Sequence, residues 1–265
     1  MSSVLSTGTS ALLAFQRALA TTSHNVANIN TPGYSRQKVD FATANPQNFG
    51  YGDVGNGTRI SDIRRVADQL AISRLLDGSG ELARLKQLSS MADRVDAMFS
   101  DTATNVSGVW SSFFDTVSGL SSNASGTADR QNMLDGGKTL ASRFQQLNGQ
   151  LNTLNGEVNN GLIAGASEIN RLAKEIAQLN GAIGGNAANA APDLLDRRDQ
   201  LIANLVGYTG GNAVMQDGGI MNVYTAGGQA LVVGTTASKV TTVSDPYMPE
   251  RLQLALESAG QKITL

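Results

Sequence analysis

The sequence predicts a mainly α protein with a C-terminal β region: an elongated helical bundle preceded by an N-terminal heptad helix. Three patterns carry this prediction. Apolar residues recur at three- and four-residue steps through most of residues 62–206, the spacing of one helix face. Leu5, Leu12, Leu19 and Val26 recur every seven residues, the spacing of a seam between helices. After Gly207 the texture changes to short apolar runs separated by Gly-Gly pairs, as in strands joined by tight turns. With 265 residues the chain is long enough for one or two domains with a real core.

Composition narrows the chemistry. There are 20 basic and 22 acidic side chains, a formal charge of −2, so the concentrated basic surface that nucleic acid or an anionic membrane would require is not expected. The absence of Cys excludes disulfides, thiolate metal sites and thiol nucleophiles. A single His, His24, excludes any mechanism needing two imidazoles and most zinc sites. Gly50-Tyr51-Gly52-Asp53-Val54-Gly55 matches a dinucleotide-binding spacing but lacks the preceding strand and following helix that the fingerprint needs. No enzyme activity, metal or cofactor is therefore expected. The early apolar run Ala11–Phe15 is too short for a signal-peptide core or a membrane span. Export would have to use a route that reads an uncleaved terminus.

Residues 1–35 read as a coiled-coil-type helix and a turn. Phe15 and Ile29 extend the heptad edge, while Gly8 and Thr22 weaken it. The opposite face is Ser, Thr, Gln and Asn with almost no charge pairs, so the helix is marginal by itself. It either packs on its own domain or becomes ordered against another helix. The expected subunit-packing residues are Leu5, Leu12, Phe15, Leu19, Val26 and Ile29. Asn30-Thr31-Pro32-Gly33-Tyr34 ends the helix, because Pro32 pushes Thr31 out of the helical region and Pro-Gly suits the centre of a type II turn. These five residues are the expected turn and hinge.

Residues 36–61 read as an irregular Gly-rich linker or hairpin. Residues 62–206 read as the elongated bundle, with a first helix from about Asp62 to Ser100 and a second over 105–121 carrying Trp110, Phe113 and Phe114. The third helix, 127–184, would span roughly 87 Å if straight, with a kink expected near Gly161–Gly165. Pro192 opens a last helix, in which Asp196, Arg197, Arg198 and Asp199 read as a solvated face rather than as catalytic groups. Residues 207–265 read as a β domain, expected to be incomplete because no closing element follows.

Several blocks together resemble a known family. The run from Ala18 through His24-Asn25-Val26-Ala27-Asn28-Ile29-Asn30-Thr31-Pro32-Gly33-Tyr34 is similar to the amino-terminal signature of the bacterial flagellar axial proteins. These are the rod, hook and hook-associated proteins. Ser35-Arg36-Gln37 narrows the resemblance to the first, FlgK-type hook-associated proteins of the hook–filament junction. Glu168–Asn180, Asp193–Leu201 and Asp217–Val232 add to it.

The resemblance implies a structural subunit exported unfolded by the flagellar type III apparatus and assembled at the hook tip, outside the cell. Its terminal helix would pair in a coiled coil lining the axial channel. It further implies as partners the hook subunit, neighbouring hook-associated proteins, copies of itself and an export chaperone. Family members are about twice this long and end in a second apolar helix that partners the first. Rival readings are a rod or hook subunit, a type III-secreted effector or adhesin, and a peptidoglycan hydrolase. The last needs two carboxylates in a cleft, one with a raised pKa. Here the acidic residues fall instead on amphipathic helices or in Gly-rich turns.

Overall fold

A computed structural model describes residues 2–48, 50, 52–100, 106–184, 190–258 and 260–265. Along the chain come α1 (Ser2–Ala27), β1 (Gln37–Thr43), β2 (Gln47–Asn48), β3 (Asp53–Val54) and β4 (Thr58–Arg65). Then follow α2 (Gln69–Ser100), α3 (Val106–Ser122), α4 (Thr127–Ile183) and α5 (Pro192–Thr209). The C-terminal strands are β5 (Asn212–Met215), β6 (Met221–Tyr224), β7 (Ala230–Val233), β8 (Thr236–Ala237), β9 (Lys239–Ser244), β10 (Leu252–Ser258) and β11 (Gln261–Thr264). The chain is thus mainly α with a C-terminal strand region. It divides into two compact units, residues 1–81 with 169–239 and residues 82–168 with 240–265. The span 62–206 contributes residues to both units.

The first unit holds most of the buried apolar side chains. The stripe Ile169, Leu172, Ala173, Ile176 and Ala177 of α4 is buried, as are Leu195, Leu201, Ile202, Leu205 and Val206 of α5. Met221, Val223, Leu231 and Val232 of the antiparallel sheet β5-β6-β7-β8 are buried, and because the adjacent Leu231 and Val232 point to opposite faces, both faces of its centre are covered. Gly80 of α2 lies so close to α5 that an added Cβ would come 3.3 Å from both the Gly210 Cα and a Val206 methyl. Helix α5 begins with Pro192, whose missing N–H costs nothing at a first turn, and ends at Gly210, whose φ of 60° lets its N–H reach the Val206 carbonyl at 2.8 Å.

Of the two readings of residues 36–61, an irregular linker or a hairpin, the hairpin holds. Strands β1 and β4 pair antiparallel from Gln37↔Arg65 to Thr43↔Thr58 around a bulge at Asp40/Phe41, and β2 pairs with β3 beyond them. Ile63 and Val66, whose spacing suggests the start of a helix, lie in β4 and the link after it. The helix begins at Gln69 instead, because the Asp68 carboxylate accepts the free N–H groups of Leu70 and Ala71 at 2.9 and 3.1 Å.

Helix α4 runs unbroken through Gly161 and Gly165. A Cβ added at either would meet nothing within 4 Å, so no neighbour crowds the backbone there. Strand β5 ends at Met215, and Asp217–Gly219 is a tight turn in which Gly218 has φ 78°.

In the second unit, β11-β10-β9 form a sheet. Asn155 and Asn159 of α4 donate to the Glu250 carbonyl, and Asn159 accepts the Leu252 N–H, fixing the start of β10. Arg94 of α2 pairs with Glu157 of α4. Trp110, Phe114 and Phe144 touch edge-on or tilted, yet each stays about half exposed, and α3 buries no side chain. The apolar stripes of this unit are incompletely covered.

Candidate assembly surface

The amphipathic design of α1 follows from its residues. At 3.6 residues per turn, Leu5, Leu12, Phe15, Leu19 and Val26 fall along one side, and Thr7, Ser10, Ala14, Thr21 and Asn25 on the other; Ile29, expected on the same edge, lies in the turn beyond the helix, which ends at Ala27. Ala14 and Thr21 are buried, and the helix packs over the β1–β4 hairpin. Gly57, with φ 87°, permits this approach, since a Cβ there would come 2.5 Å from the Ser10 hydroxyl and 3.3 Å from the Thr7 Cα. Thr9, Ser10, Thr21 and Thr22 donate to carbonyls three or four residues back, so the helix satisfies its own hydroxyls without charged partners.

The six apolar side chains are 61–77% exposed. Phe15 has one contact across to the hairpin, its ring centroid 5.7 Å from that of Phe41. Val4 and Leu13 add further exposed apolar area outside the seven-residue pattern. Between the C-terminal half of α1 and β1 lies an open groove of about 570 Å³, with Val26, Ile29, Val39 and Phe41 among its lining residues.

The signature block closes the helix through a polar knot. The Asn28 amide caps the His24 carbonyl at 3.0 Å. Thr31, Pro32, Gly33 and Tyr34 make the turn, with φ 76° at Gly33 and the Tyr34 N–H 3.2 Å from the Thr31 carbonyl. Asn25 then ties helix to strand: its amide donates to the Gln37 carbonyl and its oxygen accepts the Gln37 N–H, both at 2.8 Å. The same oxygen accepts the Tyr34 hydroxyl at 2.7 Å, and that hydroxyl lies 3.2 Å from His24 Nδ1.

Helix α5 supplies the other half of the knot. Asp196 accepts the Ser35 N–H at 2.7 Å, Asp193 accepts the Gln37 side-chain amide at 2.8 Å, and Gln200 donates to the Pro32 carbonyl. Arg65 of β4 reaches Asp196 at 3.0 Å and Asp199 at 2.6 Å with little of any of the three side chains in water. Burial raises the Tyr34 phenol above its ordinary pKa, and the charges of Asp193 and Asp196 add to the rise.

The solvated face expected on α5 is largely buried. Arg197 is exposed, but Asp196 is 6% and Arg198 2% exposed. The Arg198 guanidinium donates to the Gly219 carbonyl at 2.7 Å and to Asn180 Oδ1 at 3.2 Å, and the Asn180 amide in turn holds the Met221 and Gly234 carbonyls. Burial lowers the Arg198 pKa, with Asp199 opposing the shift. The period contained a signal for this: Arg198 stands three residues after Leu195 and four before Ile202, inside the apolar stripe. Nothing in the sequence pairs Arg65 with residues more than a hundred positions away.

Among the described residues no cluster of His, Cys, Asp and Glu could hold a metal ion, and no helix is long and apolar enough to cross a membrane. Two family descriptions match the chain. Residues 92–265 match the flagellar hook-associated protein FlgK helical domain, and residues 5–34 match the flagella basal body rod protein family.

The chain is 34% identical to flagellar hook-associated protein 1 of Salmonella typhimurium over 98% of its own length and 48% of that protein's. It is 35% identical to the Escherichia coli protein of the same name over 96% of its length and 47% of that protein's. It thus spans about half the length of the curated relatives it matches. Among solved structures, the flagellar hook junction protein FlgK from Burkholderia pseudomallei superposes with a TM-score of 0.66 at 25% identity, covering 73% of this chain and 36% of that one. An N-terminal block shared with rod proteins, followed by a helical region matched by the hook-associated description, places the sequence: the chain belongs to the FlgK family of flagellar hook-associated proteins.

Proposed function

We propose that this chain is a structural subunit of the bacterial flagellum that joins hook to filament and has no catalytic role. Its α1 supplies an axial packing edge. The observation that carries this reading is the contrast between the two sides of α1. One side packs on the hairpin, with Ala14 and Thr21 buried and Asn25 bonded to Gln37, while the other leaves Leu5, Leu12, Phe15, Leu19 and Val26, with Ile29 just beyond the helix, 61–77% exposed. Contiguous exposed apolar surface of this kind marks an interaction site. Fully burying each side chain would contribute about 1.5–3 kcal/mol, which offsets the ordering cost of assembly.

In this reading the subunit leaves the cell through the flagellar type III apparatus, aided by an export chaperone. It then packs against the hook subunit, neighbouring hook-associated proteins and its own copies. The match of residues 5–34 to rod proteins favours a rod or hook role, but that block is shared by axial proteins, and the FlgK-type match covers 92–265. The test is Leu12→Asp combined with Leu19→Asp in the full-length protein of a flagellated cell. The expected result is secretion of a normally folded subunit, hooks without attached filaments, and loss of swimming. Wild-type numbers of filaments would overturn the proposal.

A further inference from the structure

Residues 2–65 consist of α1, the turn and the hairpin, and the links from this segment to α5 described above are polar. Gln200 holds the Pro32 carbonyl, Asp196 holds the Ser35 N–H at 2.7 Å and Asp193 holds the Gln37 amide at 2.8 Å. Arg65 bridges Asp196 and Asp199, and His24 Nε2 lies 4.0 Å from Asp193. Asp193, Asp196 and Asp199 follow one another at steps of three, and Gln200 stands four after Asp196, so Asp193, Asp196 and Gln200 line one face of α5 with Asp199 at its edge. The apolar face, with Leu195, Ile202 and Leu205, is turned to the core. Polar bonds are directional where apolar contacts are not. A turn held by its Pro32 carbonyl and its Ser35 N–H is held at both ends.

We propose that Asp196 and Gln200 of α5 are positioning residues that clamp the Pro32–Ser35 turn and fix the direction in which α1 leaves the core. The turn is then a locked joint rather than a free hinge. The clamp itself rests on the geometry alone. Its use, aiming the apolar edge of α1 at a neighbouring subunit, rests on the assembly role proposed above.

The chain contains no native cysteine, so spin labels can be placed at Gln16→Cys on α1 and Asn204→Cys on α5 without background. The parent should give a narrow label-to-label distance distribution. Gln200→Glu keeps the shape of the side chain but removes the donor to Pro32, and should broaden the distribution. Gln200→Lys restores a donor and should narrow it again. Asp196→Asn leaves one oxygen for two donors and should speed exchange of the Ser35 amide roughly tenfold or more, as expected for loss of a hydrogen bond to a charged acceptor.

A distribution that stays equally narrow in Gln200→Glu, or a Ser35 amide that exchanges no faster in Asp196→Asn, overturns the clamp. Because the distance is read on the isolated chain, the result does not depend on assembly. A broadened distribution supports the clamp even if the Leu12→Asp, Leu19→Asp protein still joins hook to filament. An unchanged one removes it even if that protein fails to join them.

Discussion

Tyr34 carries the pH dependence of the knot. Its hydroxyl donates to Asn25 at 2.7 Å, and burial with the nearby Asp193 and Asp196 charges raises its pKa. The neutral phenol is therefore favoured in the folded state. Stability from this group is fully present below pH about 10, the ordinary phenol value, and is lost as pH rises through the folded-state value. Tyr34→Phe should cost about 1 kcal/mol at neutral pH through the lost hydrogen bond, and should flatten the fall in melting temperature above pH 10. An unchanged alkaline slope would remove Tyr34 as its source. Individual residues were unevenly legible in the sequence. The Pro32–Gly33 turn was readable because one dipeptide dictates it locally, with φ 76° at the glycine. The burial of Arg198 had a signal in the apolar period, but the partners of Arg198 and Asp196 did not, because Arg65, Asn180 and the Gly219 carbonyl are brought near only by the tertiary fold.

Elements were read well wherever one period ran for many turns. The long helix, the helix from Val106 and the C-terminal strands all lie close to where spacing puts them. The hairpin stood only as an alternative to a linker because β1 and β4 are only partly covered and alternate weakly. Moreover, the apolar pair Ile63 and Val66 mimics a helical step. Periodicity also locates the seam of α4, whose centre is Leu172, 0% exposed between Ile169 and Ile176. Leu172→Asp removes that packing and puts a carboxylate at a position with no access to water. It should destabilise the first unit by more than about 4 kcal/mol, read as a lower denaturant midpoint. A change under about 1 kcal/mol would mean that the seam is not the core. The two aspartates on α1 have the opposite expectation: Leu12 and Leu19 are 61% and 71% exposed, so their replacement should leave the melting curve nearly unmoved. Removing residues 1–33 is a less clean test, since it strips Thr7 and Ser10 from Gly57 and Pro32 from Gln200.

At the scale of the whole chain, the helical period promised even burial across residues 62–206, and burial is instead concentrated. Leu75, Leu82, Leu85 and Leu88 of α2 and Leu134, Phe144, Leu151 and Val158 of α4 keep the spacing of a seam, yet each is 40–66% exposed. A hydrophobic stripe specifies that a face can be buried. It does not specify what covers it, and that is why sequence reasoning overestimated this core. The energetic consequence is specific. A 17-residue helix is marginal by propensity alone, and α3 buries no side chain to add to it, relying on half-exposed contacts among Trp110, Phe114 and Phe144. The stretch Ile169–Ile183 with α5 has a buried stripe on each helix and the buried Arg198–Asn180 hydrogen bond between them. Local opening follows buried contact, so native-state hydrogen exchange of this 265-residue chain should be graded within it. Amides of 169–183 and 195–206 should exchange slowest, at the rate of global unfolding. Amides of α3 should exchange at least about a hundredfold faster, through an opening of lower free energy. Equal protection of α3 and α5 would mean that the aromatic contacts carry far more than their half burial allows, and that the chain unfolds as a single cooperative unit.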